Sequence, residues 1–170
     1  MILIRHTTPA GAAGVCYGRL DLALAESFEA EAEAIAAALP PGPWRLFSSP
    51  ATRCRRLAER LGPAVTIDER LSELDFGAWE GLRWDDIPPE QMEPWGKNFV
   101  TAPPPGGESF TELAARARAF AAEIVAQPDT VETVAVTHSG VIRALLTAAR
   151  GMSLAEAFTL EVPFGSIHRI

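Results

Sequence analysis

The sequence predicts an α/β protein, a three-layer α/β/α sandwich whose central sheet is mostly parallel. Three observations favour this class. Short apolar runs that indicate buried strands alternate with amphipathic segments of helical period, and several of those strands lead directly into a helix. No internal repeat or linker divides the 170 residues, a length typical of one domain. We therefore expect a single domain over residues 1–170.

The first strand and the first helix have clear signals. Residues 2–4 are Ile-Leu-Ile, a run typical of a strand buried on both faces. Residues 27–39 place apolar side chains on one stripe and glutamates opposite, which predicts a helix that ends at the proline-rich stretch 40–43. A second strand is expected at residues 44–47, because Trp-Arg-Leu-Phe repeats the apolar character of the first.

The second helix has start signals of its own. Ser49 is its expected N-cap and Pro50 its first residue, since serine and proline favour those two positions. The helix is predicted to end at about Leu61, and a short strand is expected at residues 64–67.

Residues 82–107 interrupt the alternation of strands and helices. This stretch is rich in proline and glycine, and we expect it to be mostly irregular. It contains Trp84, Trp95 and Phe99, side chains that are costly to expose, so a packed, lid-like insert is predicted rather than a loose loop.

The C-terminal half returns to regular elements. An apolar face predicts a helix over residues 108–126, and the run Thr-Val-Ala-Val predicts a buried strand at residues 133–136. A helix is expected at residues 141–150, and two final strands at residues 158–162 and 166–170.

Composition and charge exclude several classes of protein. Hydrophobic residues make 48% of the chain and charged residues 22%, as in ordinary globular proteins. The net charge of −7 disfavours binding to nucleic acid or to anionic membranes. There is no apparent signal peptide or membrane span, and the two cysteines, Cys16 and Cys54, show no metal-binding spacing, so a cytoplasmic protein with packing cysteines is expected.

Polar side chains follow three of the predicted strands. Arg5 and His6 end the first, Ser48 and then Arg53 follow the second, and His138 follows the strand at residues 133–136. Ligands bind at the carboxyl ends of parallel strands, and helix N-termini there attract anions. If these strands are neighbours, the residues form a phosphate pocket.

Five motifs, in this order, resemble those of the histidine phosphatase family, also called the phosphoglycerate mutase-like family: RHT, SSPATR, ELDFGAWEG, GGESF and VTHSG. The family's usual Arg-His-Gly differs here in having Thr7. With GVCYGRLDLAL at residues 14–24, that variant is most similar to the α-ribazole phosphatase branch.

The resemblance implies a role for each site residue. His6 is the nucleophile that accepts the phosphoryl group, Arg5, Arg53 and His138 bind the phosphate oxygens, and Glu73 gives a proton to the leaving group. Neighbouring cations favour the neutral ring that a nucleophilic histidine needs. The arginines also supply the positive charge that other phosphoryl-transfer enzymes take from magnesium, so no metal or other cofactor is expected.

The expected function is therefore a metal-independent phosphomonoesterase that works through a phosphohistidine. Its expected substrate is α-ribazole 5′-phosphate, of cobalamin biosynthesis, whose flat base would stack on aromatic side chains. The candidate rings are Tyr17, Trp84, Trp95 and Phe99. A small phosphomonoester is the expected partner, and a homodimer stays open.

Four other functions are weighed against this one. A broad-specificity phosphatase fits the same site. A phosphoglycerate mutase would need further cations for a second anionic group, and the stretch from Trp84 to Gly107 offers only Lys97. A phospholigand-binding module would have lost the nucleophile or the acid. A dihistidine metal hydrolase is disfavoured because Arg5 adjoins His6.

Several residue assignments have alternatives. Asp75 or Glu80 could be the acid instead of Glu73, although Glu73 is preferred. Glu80 could instead have a structural role as the partner of a charged group. Arg55 and Arg56 share a helix with Arg53 but are expected on its solvated side. In each case the candidates are close together in the sequence, and the sequence alone does not determine which of them faces the site.

The remaining candidates lie outside the central motifs. Tyr17, Gly18 and Arg19 are expected substrate contacts, the alternative being a turn around Gly18. Glu108 and Ser109 either approach the phosphate or cap the long helix. His168 is expected to be a polar residue of the last strand.

Overall fold

The computed structural model describes residues 1–127 and 131–170. Within them, the central sheet has five strands in the order β3-β2-β4-β1-β5. The strands are β1 (Ile2–Arg5), β2 (Trp44–Ser48), β3 (Val65–Ile67), β4 (Glu132–Thr137) and β5 (Ile167–Arg169). All neighbouring pairs are parallel except β1 and β5, which are antiparallel. The predicted mostly parallel sheet is confirmed.

The helices are α1 (Phe28–Ala38), α2 (Thr52–Leu61), α3 (Pro89–Asn98), α4 (Phe110–Ala126) and α5 (Ser139–Ala149). All except α3 cover the two faces of the sheet. Side chains of β1 alternate between two cores: Ile2 and Ile4 pack with α1 and α2, and Leu3 packs with α4 and α5. This alternation produces the predicted three layers, because strand side chains point to opposite faces in turn.

The register of the strands aligns their carboxyl ends. Arg5 is paired with Thr137 of β4, and Ser48 of β2 is paired with Val136. The residues that follow each strand therefore emerge at one edge of the sheet.

Two predictions about individual elements were wrong: the start of the second helix and a strand at residues 158–162. Helix α2 begins at Thr52 with Ala51 as its cap, since the Ser49 hydroxyl lies 2.7 Å from a ring nitrogen of His138 instead of capping the helix. No strand forms at residues 158–162: a 3₁₀ helix, Leu154–Thr159, occupies the first part of that range.

The segment 82–107 is more ordered than predicted. It contains a 3₁₀ helix, Trp84–Asp86, followed by α3, which includes Pro94. The Trp95 ring of α3 contacts Trp79 and Trp84 with ring centres 5.4 and 6.4 Å apart. Tertiary packing of this kind overrides the low helix propensity of proline and glycine that favoured an irregular segment.

Within residues 1–127 and 131–170, no helix has both the length and the apolar character that crossing a membrane requires.

Candidate active site

The edge formed by the strand ends opens into a cavity of about 210 Å³. Arg5, His6, Glu73 and His138 line it together. The two histidines are almost completely buried, at 2% and 1% exposure, and their ring centres lie 5.0 Å apart in an edge-on arrangement. Four of the five residues expected to act on phosphate are thus neighbours in the structure.

His6 is held as a neutral ring with one free nitrogen. Its Nδ1 lies 2.7 Å from the carbonyl oxygen of Thr7. Because a carbonyl only accepts, Nδ1 carries the proton and Nε2 keeps its lone pair. Burial, followed by the positive charge of Arg53, lowers the pKa of His6 to about 3. At neutral pH this ring therefore has the form that a nucleophile requires.

His138 has the opposite tautomer. Nη2 of Arg53 lies 3.4 Å from its Nδ1, and the Ser49 hydroxyl lies 2.7 Å from its Nε2. Since a guanidinium only donates, Nδ1 accepts and Nε2–H donates to Ser49. Burial, and then the neighbouring His6 and Arg53, hold the pKa of His138 well below its usual value.

Arg5 points into the cavity with part of its guanidinium engaged. Nη1 donates to the carbonyl oxygen of Val162 at 2.6 Å, and Cζ lies 3.8 Å from the centre of the Phe164 ring. Its Nε is buried and has no hydrogen-bond partner among residues 1–127 and 131–170. A buried donor without a partner is unusual in native proteins, and this N–H is available to an anion in the cavity.

Arg53 is completely buried and lies behind the cavity rather than in its lining. Its Nη groups donate to the carbonyl oxygens of Gly18, at 2.6 Å, and Leu20, at 2.9 Å. Its Nε is also buried without a partner in the described part of the chain. The exposed Arg55 and Arg56 lie on the solvated side of α2, as predicted.

Glu73 lies against the N-terminus of α5. Its Oε2 accepts from the backbone N–H of Gly140 at 3.1 Å and from the Ser139 hydroxyl at 3.3 Å, and its Oε1 accepts from the N–H of Leu74 at 2.9 Å. A Cβ at residue 140 would lie 2.3 Å from Oε1, so the glycine permits this close approach of the carboxylate. The carboxylate is therefore fixed at the edge of the cavity.

The two alternative acids are occupied elsewhere. Glu80 accepts hydrogen bonds at 2.8–3.0 Å from four backbone N–H groups, those of Gly18, Arg19, Leu20 and Phe76. Asp75 accepts from the N–H of Gly77 at 2.8 Å. Neither lines the cavity, so Glu73 alone among the three faces it.

Six aromatic rings line the cavity together with these polar groups. They are Tyr17, Phe76, Trp84, Trp95, Phe110 and Phe158. Phe99, the fourth ring expected here, lies outside the lining and packs on Phe158 and Phe110. The wall is thus suited to an apolar or flat group.

Sequence reasoning missed Arg143, which also lines the cavity. It lies on α5, five residues after His138, and its Nε donates to the carbonyl oxygen of Leu160 at 3.2 Å. Its Cζ lies 5.2 Å from the centre of the Phe158 ring. The sequence signal that could have identified it is a single arginine within the apolar run VIRALL at residues 141–146.

The loop candidates have different positions. Tyr17 lines the cavity, whereas a Cβ on Gly18 would come within 1.8 Å of the Leu74 carbonyl oxygen, so this glycine permits close packing. Arg19 faces a second cavity and lies within 3.6–3.7 Å of the carboxylates of Asp75 and Glu108.

Glu108 and Ser109 serve the backbone rather than the cavity. Ser109 is the N-cap of α4 and forms a reciprocal capping box with Glu112. Glu108 pairs with Arg116 of the same helix. Neither Glu108 nor Ser109 lines the cavity, so of the two alternatives the structure agrees with capping for Ser109 and not with an approach to the phosphate.

The remaining candidates have structural surroundings. Cys16 and Cys54 are buried free thiols, and burial raises the pKa of Cys16 to about 12. His168 lies on the edge strand β5, and its ring is 2.8 Å from the Ser166 hydroxyl. In the described part of the chain, no three His, Cys, Asp or Glu side chains are grouped in a way that would hold a metal ion.

Comparison with known proteins shows which proteins this chain is similar to. The chain is 34% identical over 166 residues to glucosyl-3-phosphoglycerate phosphatase of Mycobacterium tuberculosis, covering 87% of this chain and 74% of the relative. It is 31% identical over 137 residues to a probable phosphoglycerate mutase of Salmonella paratyphi C, covering 76% of this chain and 63% of that protein. A structure of the mycobacterial glucosyl-3-phosphoglycerate phosphatase with VO3 superposes with a TM-score of 0.85 at 31% identity, covering 98% and 90% of the two chains.

The family model described as histidine phosphatase superfamily, branch 1, matches residues 1–170. The sequence motifs, the paired buried histidines and these similarities agree, and the chain belongs to the histidine phosphatase superfamily.

Proposed function

We propose that this chain hydrolyses phosphate monoesters through a phosphohistidine formed on His6. The observation that carries the proposal is the neutral His6 ring, with its Nε2 lone pair free, in a cavity shared with Arg5, Glu73 and His138. Such a ring attacks phosphorus without prior deprotonation, so neither a metal-bound hydroxide nor a separate base is needed to activate it.

Binding of the phosphate draws on the two arginines. Arg5 lines the cavity and Arg53 contributes its charge from behind, and each has a buried Nε–H without a partner in the described residues. His138 donates its Nε2–H to Ser49 in the free protein, so its proposed contact with a phosphate oxygen requires exchange of that hydrogen bond.

The first chemical step transfers the phosphoryl group. The lone pair of His6 Nε2 forms the P–N bond while the P–O bond to the alcohol breaks. Glu73, in its protonated form, gives its proton to the leaving oxygen, so the product is a neutral alcohol. The positive charge of the arginines stabilises the charge on the phosphoryl oxygens in the transition state.

The second step regenerates the enzyme. A water molecule gives a proton to the Glu73 carboxylate and attacks phosphorus, and the P–N bond breaks with its electron pair returning to His6 Nε2. Inorganic phosphate leaves, and Glu73 is again protonated for the next cycle. One carboxyl group therefore acts first as acid and then as base.

α-Ribazole 5′-phosphate, and with it a role in cobalamin biosynthesis, is the substrate that we propose for this reaction. The aromatic wall supports it, because Tyr17, Trp84 and Trp95 lie where a flat bicyclic base could stack. Stacking on an aromatic ring is worth about 1–3 kcal/mol per base.

A second candidate is a phosphate monoester that also carries a carboxylate, as in the glucosyl-3-phosphoglycerate named for the mycobacterial relative. Arg143 favours it. This cation lines the cavity and forms no ion pair within residues 1–127 and 131–170, so its Nη groups are available to a carboxylate.

Rapid-quench labelling with a phosphorylated substrate tests the chemistry. A phosphohistidine is stable in base and labile in acid, and we expect it in the wild type and in His168→Asn, whose histidine lies outside the cavity. His6→Asn should give no label and lose several orders of magnitude in turnover. Full turnover by His6→Asn would contradict the mechanism, and absence of turnover by the wild type would favour a binding module.

Relative kcat/KM values measured in EDTA test the substrate. The panel is α-ribazole 5′-phosphate, glucosyl-3-phosphoglycerate, 3-phosphoglycerate and a hexose phosphate. Trp84→Ala should raise KM for a stacked base about 5- to 150-fold, whereas Arg143→Met should raise KM selectively for a carboxylate. A flat profile means a broad-specificity phosphatase, and isomerisation of 3-phosphoglycerate without release of phosphate means a mutase.

A further inference from the structure

Arg116, in the middle of α4, uses its whole guanidinium group to hold the loop that carries Glu73. Nη1 donates to the carbonyl oxygens of Arg70, at 2.9 Å, and Ser72, at 2.6 Å. Nη2 donates to the carbonyl oxygen of Glu73 itself at 3.1 Å. Nε and Nη2 also donate to the two carboxylate oxygens of Glu108. Three backbone carbonyls that precede or belong to Glu73 therefore converge on one cation.

Glu108 fixes the other side of the same loop. Its Oε1 accepts from the backbone N–H of Asp75 at 3.2 Å, and its own N–H donates to the Asp75 carbonyl oxygen at 3.0 Å. The Arg116–Glu108 pair thus contacts the backbone before Glu73, at Glu73 and two residues after it. The pair is only 17% and 15% exposed, so its hydrogen bonds are little weakened by solvent.

The position of Arg116 separates it from the chemistry. It lines neither the cavity that contains His6 nor the second cavity on the other side of His138. Its charge nevertheless contributes to the lowered pKa of His138, after burial and the effects of His6 and Arg53. Arg116 is close enough to organise the site and does not touch a substrate within it.

We propose that Arg116, together with Glu108, is a positioning residue that holds the Glu73 carboxyl within proton-transfer distance of the leaving oxygen. This inference rests on the proposed role of Glu73 as the acid. General acid catalysis needs a donor within about 2.6–3.2 Å of the oxygen, and a displacement of about 1 Å can cost 10²-fold in rate. A planar five-donor fork suits this task because it restrains several carbonyls in one plane.

The test is the dependence of the loss on the leaving group. Arg116→Met should lower kcat/KM for an alkyl phosphate about 10- to 10²-fold, because an alkoxide needs the proton. It should lower kcat/KM for p-nitrophenyl phosphate less than about threefold, since nitrophenolate leaves unaided. The comparison uses kcat/KM because the later hydrolysis of the phosphohistidine, which also involves Glu73 and is common to both substrates, does not enter it. Arg118→Met, an exposed arginine on the same helix, is the matched control and should change neither rate.

Glu73→Gln separates the two proposals. If it lowers kcat/KM for the alkyl phosphate far more than for the aryl phosphate, Glu73 is the acid, and Arg116→Met should then add no further loss of kcat/KM in the Glu73→Gln background. Equal losses of both substrates in Arg116→Met would overturn the positioning role while leaving that of Glu73 intact. Equal losses in Glu73→Gln would instead contradict the proposed acid.

A gentler variant covers the case in which Arg116→Met does not fold. Glu108→Gln keeps the size of the side chain and weakens its hold on Arg116. We expect a smaller loss than in Arg116→Met, with the alkyl phosphate affected at least about threefold more than the aryl phosphate. Equal effects on the two substrates, with unchanged thermal unfolding, would overturn the proposal.

Discussion

Gly140→Ala should displace Glu73 while leaving the fold intact. A Cβ at residue 140 would lie 2.3 Å from Glu73 Oε1 and 3.2 Å from a methyl carbon of Leu113. Ordinary van der Waals separation requires the carboxylate to retreat by about 1 Å. Residue 140 lies in the first turn of α5, where alanine favours helix by up to about 1 kcal/mol over glycine, so a gross loss of structure is not expected.

The magnitude follows from this displacement. A 1 Å error in the position of a catalytic group costs about 10²-fold, so kcat/KM for an alkyl phosphate should fall by about that factor. The kcat/KM for p-nitrophenyl phosphate, which excludes the later hydrolysis of the phosphohistidine, should fall by less than about threefold, because its leaving group needs little protonation. Steady-state kinetics on the two substrates, with far-ultraviolet circular dichroism as a check of folding, measures the difference.

Gly96→Ala is the matched control for this substitution. Residue 96 lies in α3, and a Cβ there meets nothing within 4 Å. It should leave both rates unchanged. If Gly140→Ala slows both substrates equally, or neither, then the contact with Glu73 does not govern proton transfer and the reasoning is refuted.

Three further predictions concern charge. Arg53→Met should lower kcat/KM at least about 10²-fold, whereas Arg55→Met on the exposed face of α2 should not; equal kinetics would remove Arg53 from phosphate binding. The pKa of His6 is about 3 when folded and 6.5 when unfolded, so the unfolded chain binds more protons between these values. The free energy of unfolding should therefore fall by about 1.4 kcal/mol per pH unit on acidification through that window, and urea titrations should show a slope shallower by this amount in His6→Asn. Glu80→Ala should lower the free energy of unfolding by about 3 kcal/mol, because four N–H groups lose a charged acceptor; an unchanged urea midpoint would contradict this.

The sequence was sufficient for most of the sheet and for the position of the two buried histidines at the strand ends. Ile2 to Ile4 is apolar on both sides, and it adopts the expected buried strand directly before Arg5 and His6. Local pattern determines such a strand, because a two-sided apolar run has few other stable environments. The helical start signals at residues 49 and 50 were less decisive, since Ser49 has a tertiary partner in His138 that no local pattern reveals.

The contacts of charged side chains could not be predicted in the same way. Glu73, Asp75 and Glu80 lie within eight residues of one another, and only the folded backbone determines that Glu80 meets the N–H groups of residues 18–20. Arg116 looks like any polar residue of an amphipathic helix until its three carbonyl partners are known. Long side chains select partners across the fold, so sequence proximity says little about them.

The origin of the cavity wall has a consequence for how this protein can diverge. Trp84 and Trp95 belong to the segment between residues 82 and 107, whereas His6 and His138 follow strands β1 and β4. These two rings of the cavity wall are thus encoded apart from the residues proposed to act on phosphorus. Under the proposed mechanism, substitutions at the two tryptophans can change which ester is accepted without replacing a residue that handles the phosphoryl group, so this segment is a route to new substrates.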